Sequence, residues 1–112
     1  MTAYDDATKV SIDLYLSDRA LPLLENPVVL AHKLERNFQE SYKIQNAHFQ
    51  TLSSDPETVH IRNDRKTFVW KGYAAINPDE IAGVPKNELI GRVKDSLTKS
   101  FPEGWYIDSE VK

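Results

Sequence analysis

The chain has 112 residues, of which 40% are hydrophobic and 28% charged, and a formal net charge of −3, values typical of one folded domain rather than a disordered chain. The absence of cysteine excludes disulfides, thiolate catalysis, zinc–cysteine sites and iron–sulfur clusters. Because the chain starts with polar residues and lacks an apolar run of roughly 18 residues, we expect a cytoplasmic protein that does not enter a membrane.

Residues 9–17 predict a half-buried strand, because apolar and polar side chains alternate there with a period of two. An amphipathic helix is predicted from residue 27 to about 41. Asn26 is its expected N-cap, and Pro27 occupies the first helical position, which tolerates proline best. The apolar positions of this helix recur at i, i+4 and i+8: Leu30, Leu34 and Phe38. One side of the helix should therefore lie in the core and the other in water.

Residues 42–52 fit a strand less well. Ile44 and Phe49 are both apolar, but they lie five residues apart and cannot both face the core from a regular strand. We therefore predict a β-bulge near Asn46 and Ala47, which would restore the register. The segment "SSDPE" then predicts a turn.

The segment "VHIRNDRKTFVWKGY" predicts a β-hairpin in which basic and aromatic residues alternate. A two-residue turn would mix charged side chains into the apolar face. A four-residue loop at 63–66 instead pairs Ile61 with Phe68 and Val59 with Trp70 on one face. We predict this second register, which directs both aromatic rings into the core and leaves the basic side chains on a solvated outer face.

The last third of the chain predicts a short turn, a second helix and a final strand. The turn begins at Asn77 and ends at Gly83, and the helix runs from about Pro85 to Ser100. Its apolar positions form one stripe: Leu89, Ile90, Val93 and Leu97. Gly91 is expected to be a point of close packing in this helix. The strand is predicted at 105–111.

The predicted order is therefore β-α-β-β-β-α-β in a single domain over residues 1–112. Two amphipathic helices and a mainly antiparallel sheet predict an α+β protein, a two-layer sandwich with both helices on one face. If the first or last strand lies at an edge of the sheet, that edge is a possible site for dimerisation or for a partner strand.

The sequence contains no motif that predicts catalysis, a metal or a cofactor. The three histidines His32, His48 and His60 have no spacing typical of metal ligands. The glycines form no phosphate-binding loop, and no serine lies in a GxSxG motif. We therefore expect a protein that is not an enzyme and that needs no metal and no cofactor.

Three functions are compatible with these features. We favour a small non-catalytic protein-binding module, such as an adaptor, inhibitor or assembly factor, because tyrosine and tryptophan among charged residues are typical of interfaces. The residues predicted to bind the partner protein are Tyr15, Tyr73, Trp105 and Tyr106. The first alternative is a nucleic-acid-binding protein that uses the basic hairpin residues Arg62, Arg65, Lys66 and Lys71. The second is a homo-oligomeric structural protein joined through its sheet edges.

Overall fold

The computed structural model describes residues 8–52 and 66–112, together with the backbone of residues 57–60. The strands are β1 (Thr8–Leu16), β2 (Ala47–Thr51), β3 (Glu57–His60), β4 (Lys66–Ile76) and β5 (Tyr106–Val111). The helices are α1 (Leu21–Leu24), α2 (Pro27–Tyr42) and α3 (Lys86–Lys99), and two 3₁₀ turns lie at Asp18–Ala20 and Pro78–Ile81. All paired strands are antiparallel. This architecture confirms the predicted two-layer α+β sandwich.

The strand order across the sheet is β2-β4-β1-β5, and β3 pairs with β4 beyond the end of β2. β2 and β3 therefore share one edge of the sheet, and β5 forms the other. Thr51 lies opposite Gly72, and Glu57 lies opposite Val69. β2 therefore pairs with the later part of β4, and β3 pairs with its start.

The core lies between the sheet and the helices. Alternate residues of β1 point into it and are fully buried, as the period of two predicts: Val10, Ile12, Leu14 and Leu16. The stripe predicted for the first helix is also buried, as are Leu89, Val93 and Leu97 of α3. Ile90 is only partly buried. Hydrophobic burial along these alternating and helical positions is the main force that holds the two layers together.

Trp70 joins the sheet to the start of α2. Its ring is 1% exposed, and its indole Nε1–H donates a hydrogen bond of 3.2 Å to the carbonyl oxygen of Pro27. The ring lies across Gly72, where a Cβ atom would overlap both the indole and the carbonyl oxygen of Gln50. The close packing predicted at Gly91 is wrong, because a Cβ atom there would meet nothing within 4 Å. The glycine that close packing requires is Gly72.

The strand predicted within residues 42–52 is present but shorter, as β2 (Ala47–Thr51), and the bulge predicted near Asn46 and Ala47 is wrong. α2 ends at Tyr42, and Lys43 adopts a left-handed conformation with a φ of 56°, which turns the chain before β2 begins. Ile44 reaches the core from this turn and Phe49 from β2, so both are buried without a bulge.

At the other end of α2, Asn26 occupies the N-cap position but its side chain makes no capping hydrogen bond. The Asn77 side chain does accept one, from the N–H of Asp79.

The register predicted for the hairpin is wrong by three residues. Val59 lies opposite Thr67 rather than Trp70, and Thr58 lies opposite Phe68. A shift by an odd number of residues exchanges the two faces of the strand. β3 begins at Glu57, opposite Val69, so Trp70 lies beyond the part of β4 that pairs with β3. Ile61 and most of the predicted loop lie outside the described residues.

Candidate interaction surface

The face of the sheet opposite the helices is formed by alternate residues of four strands. We call it the helix-free face. Its central rows follow from the pairing: Tyr15 lies between Val69 of β4 and Asp108 of β5, and Tyr73 lies between Ser11 of β1 and Gln50 of β2. Both tyrosines are half-buried. They are separated by four residues along the strands, which is about 13 Å, and the row between them contains Asp13 and Lys71.

Tyr15 lies at an acidic end of the helix-free face. Burial raises the pKa of its hydroxyl, and the carboxylates of Glu110, Asp13 and Asp108 raise it further, while Lys71 opposes them. The hydroxyl therefore stays protonated at neutral pH and is available as a hydrogen-bond donor. Three acidic side chains from β1 and β5 surround one aromatic ring here.

Tyr73 is held in place by polar neighbours. Its hydroxyl donates a hydrogen bond of 2.8 Å to Oε1 of Gln50. The Nζ atom of Lys9 lies 5.6 Å from the centroid of its ring, within the range of a cation–π interaction. The ring therefore has a fixed orientation on the sheet, and its surroundings are basic where those of Tyr15 are acidic.

Part of the helix-free face is more buried than the solvated outer face that the sequence predicts. Thr67, Val69 and Ala75 belong to the helix-free face but are 0%, 2% and 4% exposed. β4 has a neighbouring strand on each side, so longer side chains such as Tyr15 lie directly beside these small ones. The helix-free face thus combines a layer of small buried side chains with an outer layer of tyrosines and charges.

The other two predicted binding residues lie elsewhere. Tyr106 is opposite Leu16 and packs against the core, and its hydroxyl is 2.8 Å from Oγ of Ser109. Trp105 also packs against the core, and its carbonyl oxygen accepts the N–H of Ser17. The structure therefore brings Tyr15 and Tyr73 together on one face and separates them from Trp105 and Tyr106.

The basic residues of the nucleic-acid alternative do not form one described patch. Arg62 and Arg65 lie outside the described residues. Lys66 and Lys71 are five positions apart on β4, so their side chains leave opposite faces of the strand. Lys71 lies opposite Asp13, and Lys66 lines a cleft with Arg19 and Asp18.

The edge formed by β2 is closed by side chains of α2. The Leu52 N–H donates to the carbonyl oxygen of Lys71, and the Asn77 N–H donates to that of Asn46, just before β2. The alternating antiparallel pattern therefore directs the backbone groups of Ala47 and Phe49 away from β4. The Phe49 N–H donates to Oε1 of Glu35 at 3.0 Å, and the Ala47 carbonyl oxygen accepts from Nε2 of Gln39 at 2.9 Å. These edge groups already have partners.

The edge formed by β5 differs. The N–H of Lys112 donates to the carbonyl oxygen of Ser11, which fixes the alternation so that Asp108 and Glu110 bond towards β1 while Ser109 and Val111 point away. The outward N–H of Ser109 donates to Oδ1 of Asp108, its own neighbour, at 2.8 Å. Among the described strands, β1 is the only one beside β5.

A second cleft, with a volume of about 400 Å³, lies between α2 and β2. Glu35 contacts two histidines there: its carboxylate is 3.9 Å from Nδ1 of His32 and 3.5 Å from Nδ1 of His48. No sequence spacing predicts this cluster, because His48 reaches Glu35 only through the packing of strand on helix. Within the described ranges, no three His, Asp or Glu side chains are arranged to hold a metal ion. The side chain of His60 is outside those ranges.

No protein-family model matches the sequence, and no curated protein is significantly similar to it. Within residues 8–52 and 66–112, no helix has the length and apolar character needed to cross a lipid bilayer.

Proposed function

We propose that this chain is a small non-catalytic protein-binding module and that the helix-free face is its binding surface. The observation that carries the proposal is the position of Tyr15 and Tyr73 on one face, each half-buried and each oriented by neighbours. Tyrosine contributes a large contact area with few rotatable bonds, and for this reason it anchors many interfaces.

The charges of the helix-free face support a partner with a mixed surface. Tyr15 lies among acidic groups, and Tyr73 lies beside Lys9. A partner with basic groups near Tyr15 and an acidic group near Tyr73 would be complementary in one orientation and repelled in the reverse one. Complementarity of this kind mainly determines specificity and the rate of association.

Photo-crosslinking tests the proposal. A benzoyl-phenylalanine residue is placed at Tyr15, at Tyr73, or at Arg36, an exposed residue of α2 on the opposite layer. We expect positions 15 and 73 to capture the same protein from cells, and we expect position 36 to capture none. An excess of the parent chain, without benzoyl-phenylalanine, should abolish the crosslinked product by competition. An excess of the Tyr15→Ala, Tyr73→Ala variant should not. Capture from position 36 alone would contradict the proposal.

A further inference from the structure

We propose that β5 is the acceptor edge for an extended basic segment of the partner protein, which adds to the sheet as a strand antiparallel to β5. This inference rests on the proposed protein-binding function and specifies the chemistry of the partner. It concerns the strand that continues the helix-free face beyond Tyr15, because Asp108 of β5 lies directly opposite that tyrosine.

The backbone of β5 supports the addition of a strand. Ser109 and Val111 direct their backbone groups away from β1. In the isolated chain the Ser109 N–H donates to the Asp108 carboxylate, a bond that a carbonyl oxygen of an added strand would replace. The carboxylate would then be released to pair with a cation. At β2 the opposite edge is less available, since Glu35 already accepts from the outward Phe49 N–H and Gln39 already donates to the outward Ala47 carbonyl oxygen.

The side chains of β5 define the charge of the segment. Asp108 and Glu110 lie on the helix-free face two residues apart, and Asp13 of β1 lies opposite Glu110. An added strand would place alternate residues directly opposite Asp108 and Glu110. Lysine or arginine at those alternate positions would pair with both acids, whereas acidic residues there would be repelled.

The same charges disfavour a second copy of this chain as the occupant. If two β5 strands paired about Ser109, Asp108 of each copy would face Glu110 of the other. Both pairs on the helix-free side would then be of like charge. A foreign basic segment avoids this repulsion, which is why we assign the edge to a partner and not to self-association.

The test uses an acetylated and amidated peptide of alternating lysine and threonine, about eight residues long, which matches the usual length of a strand. We expect it to bind the whole chain, and we expect the peptide with glutamate in place of lysine not to bind. The Asp108→Asn, Glu110→Gln variant should weaken binding of the lysine peptide about tenfold or more. Glu103→Gln, which removes an exposed acid outside β5, should leave the affinity unchanged.

Backbone methylation of the peptide distinguishes strand addition from simple charge attraction. In the antiparallel arrangement, residues opposite Asp108 and Glu110 direct their N–H groups away from β5, and the residues between them direct theirs towards it. N-methylation of the threonines should therefore abolish binding, and N-methylation of the lysines should not. Equal effects of the two methylated peptides would overturn the inference.

The two proposals fail in different ways. If the lysine peptide does not bind but Tyr15 and Tyr73 still crosslink to one partner, β5 is not the acceptor edge and the protein-binding function stands. If neither position crosslinks to a partner and the peptide also does not bind, both proposals are wrong. Peptide binding that the Asp108→Asn, Glu110→Gln variant does not change would overturn the assignment of β5 alone.

Discussion

Single residues decide how closely the strands and the indole of Trp70 can approach. Gly72 has no side chain where the Trp70 ring and the Gln50 carbonyl group pass. We expect Gly72→Ala to lower the free energy of unfolding by about 1–3 kcal/mol, because the added methyl group must displace packed atoms. Urea denaturation measures this change.

Gly91→Ala is the matched control, since the same methyl group enters open space on an exposed helix position. It should leave the free energy of unfolding unchanged or raise it by up to about 1 kcal/mol, in line with the helix propensities of the two residues. Similar losses in the two variants would mean that the packing of Trp70 on Gly72 is not what constrains β4.

A second prediction at this scale concerns Asp95 of α3, which links the two long helices. Its Oδ2 atom accepts a hydrogen bond of 3.1 Å from the Tyr42 hydroxyl and lies 3.0 Å from Nζ of Lys99. Lys99 and Tyr42 lower the pKa of this carboxyl below its ordinary value of 3.8. The resulting stabilisation is therefore present above pH 3.8 and is lost as the pH falls through the lowered pKa of the folded state.

Asp95→Asn should therefore be slightly less stable than the parent chain at pH 7, with a difference in melting temperature that vanishes under strongly acidic conditions. The effect should be small, because the groups are exposed and screened by solvent. Glu40→Gln, at an exposed position of α2, should show no such pH-dependent difference. A difference for Asp95→Asn that persists at low pH would mean that the carboxylate does not act through its charge.

At the scale of secondary-structure elements, α2 stabilises β2 through its side chains as well as through its apolar stripe. Glu35→Ala removes the carboxylate that accepts the hydrogen bond from the Phe49 N–H, and Phe49 is only 3% exposed. An unsatisfied buried donor costs about 1–3 kcal/mol, so we expect a loss of stability in that range. Amide hydrogen exchange at Phe49 should also become faster. Glu40→Ala, on the exposed side of the same helix, should change neither quantity.

The elements that the sequence predicted correctly are those with regular apolar periodicity. α2 and α3 have helical stripes, and β1 alternates along its whole length. The start of β2 was not predictable in this way, because α2 ends on a left-handed lysine, Lys43, where glycine is the usual signal. The register of β3 could not be predicted either, since it depends on how β2 and β3 divide one edge of β4.

At the scale of the whole molecule, the layers determine which predicted binding residues lie together. Side chains alternate between the two faces along β1 and β4, and this alternation places Tyr15 and Tyr73 on one face. The separation of Trp105 and Tyr106 from them depends on the irregular pairing at the start of β5, where the register shifts between Tyr15 and Leu16. The contact of Glu35 with His48 likewise arises only when α2 packs on β2.

The charges of β5 also predict the oligomeric state. The parent chain should be a monomer of 12.8 kDa by light scattering, because self-pairing of β5 opposes Asp108 to Glu110. Glu110→Lys should promote a dimer, since each substituted lysine would then face Asp108 of the other copy. Glu103→Lys makes the same change of charge outside the strand and should remain monomeric. Dimers of the parent chain, or of both variants, would contradict this assignment of the edge.

The closure of β2 by α2 limits how far any assembly of this protein can grow. A filament built by adding sheet to sheet needs a donor edge and an acceptor edge on every molecule. Here the outward Phe49 N–H and the outward Ala47 carbonyl oxygen are occupied, so among the described strands of that side β3, with four residues, is the one that a neighbouring β5 would find without these bonds. Strand addition at β5 should therefore end at one segment per molecule, and titrations should saturate at a ratio of one to one.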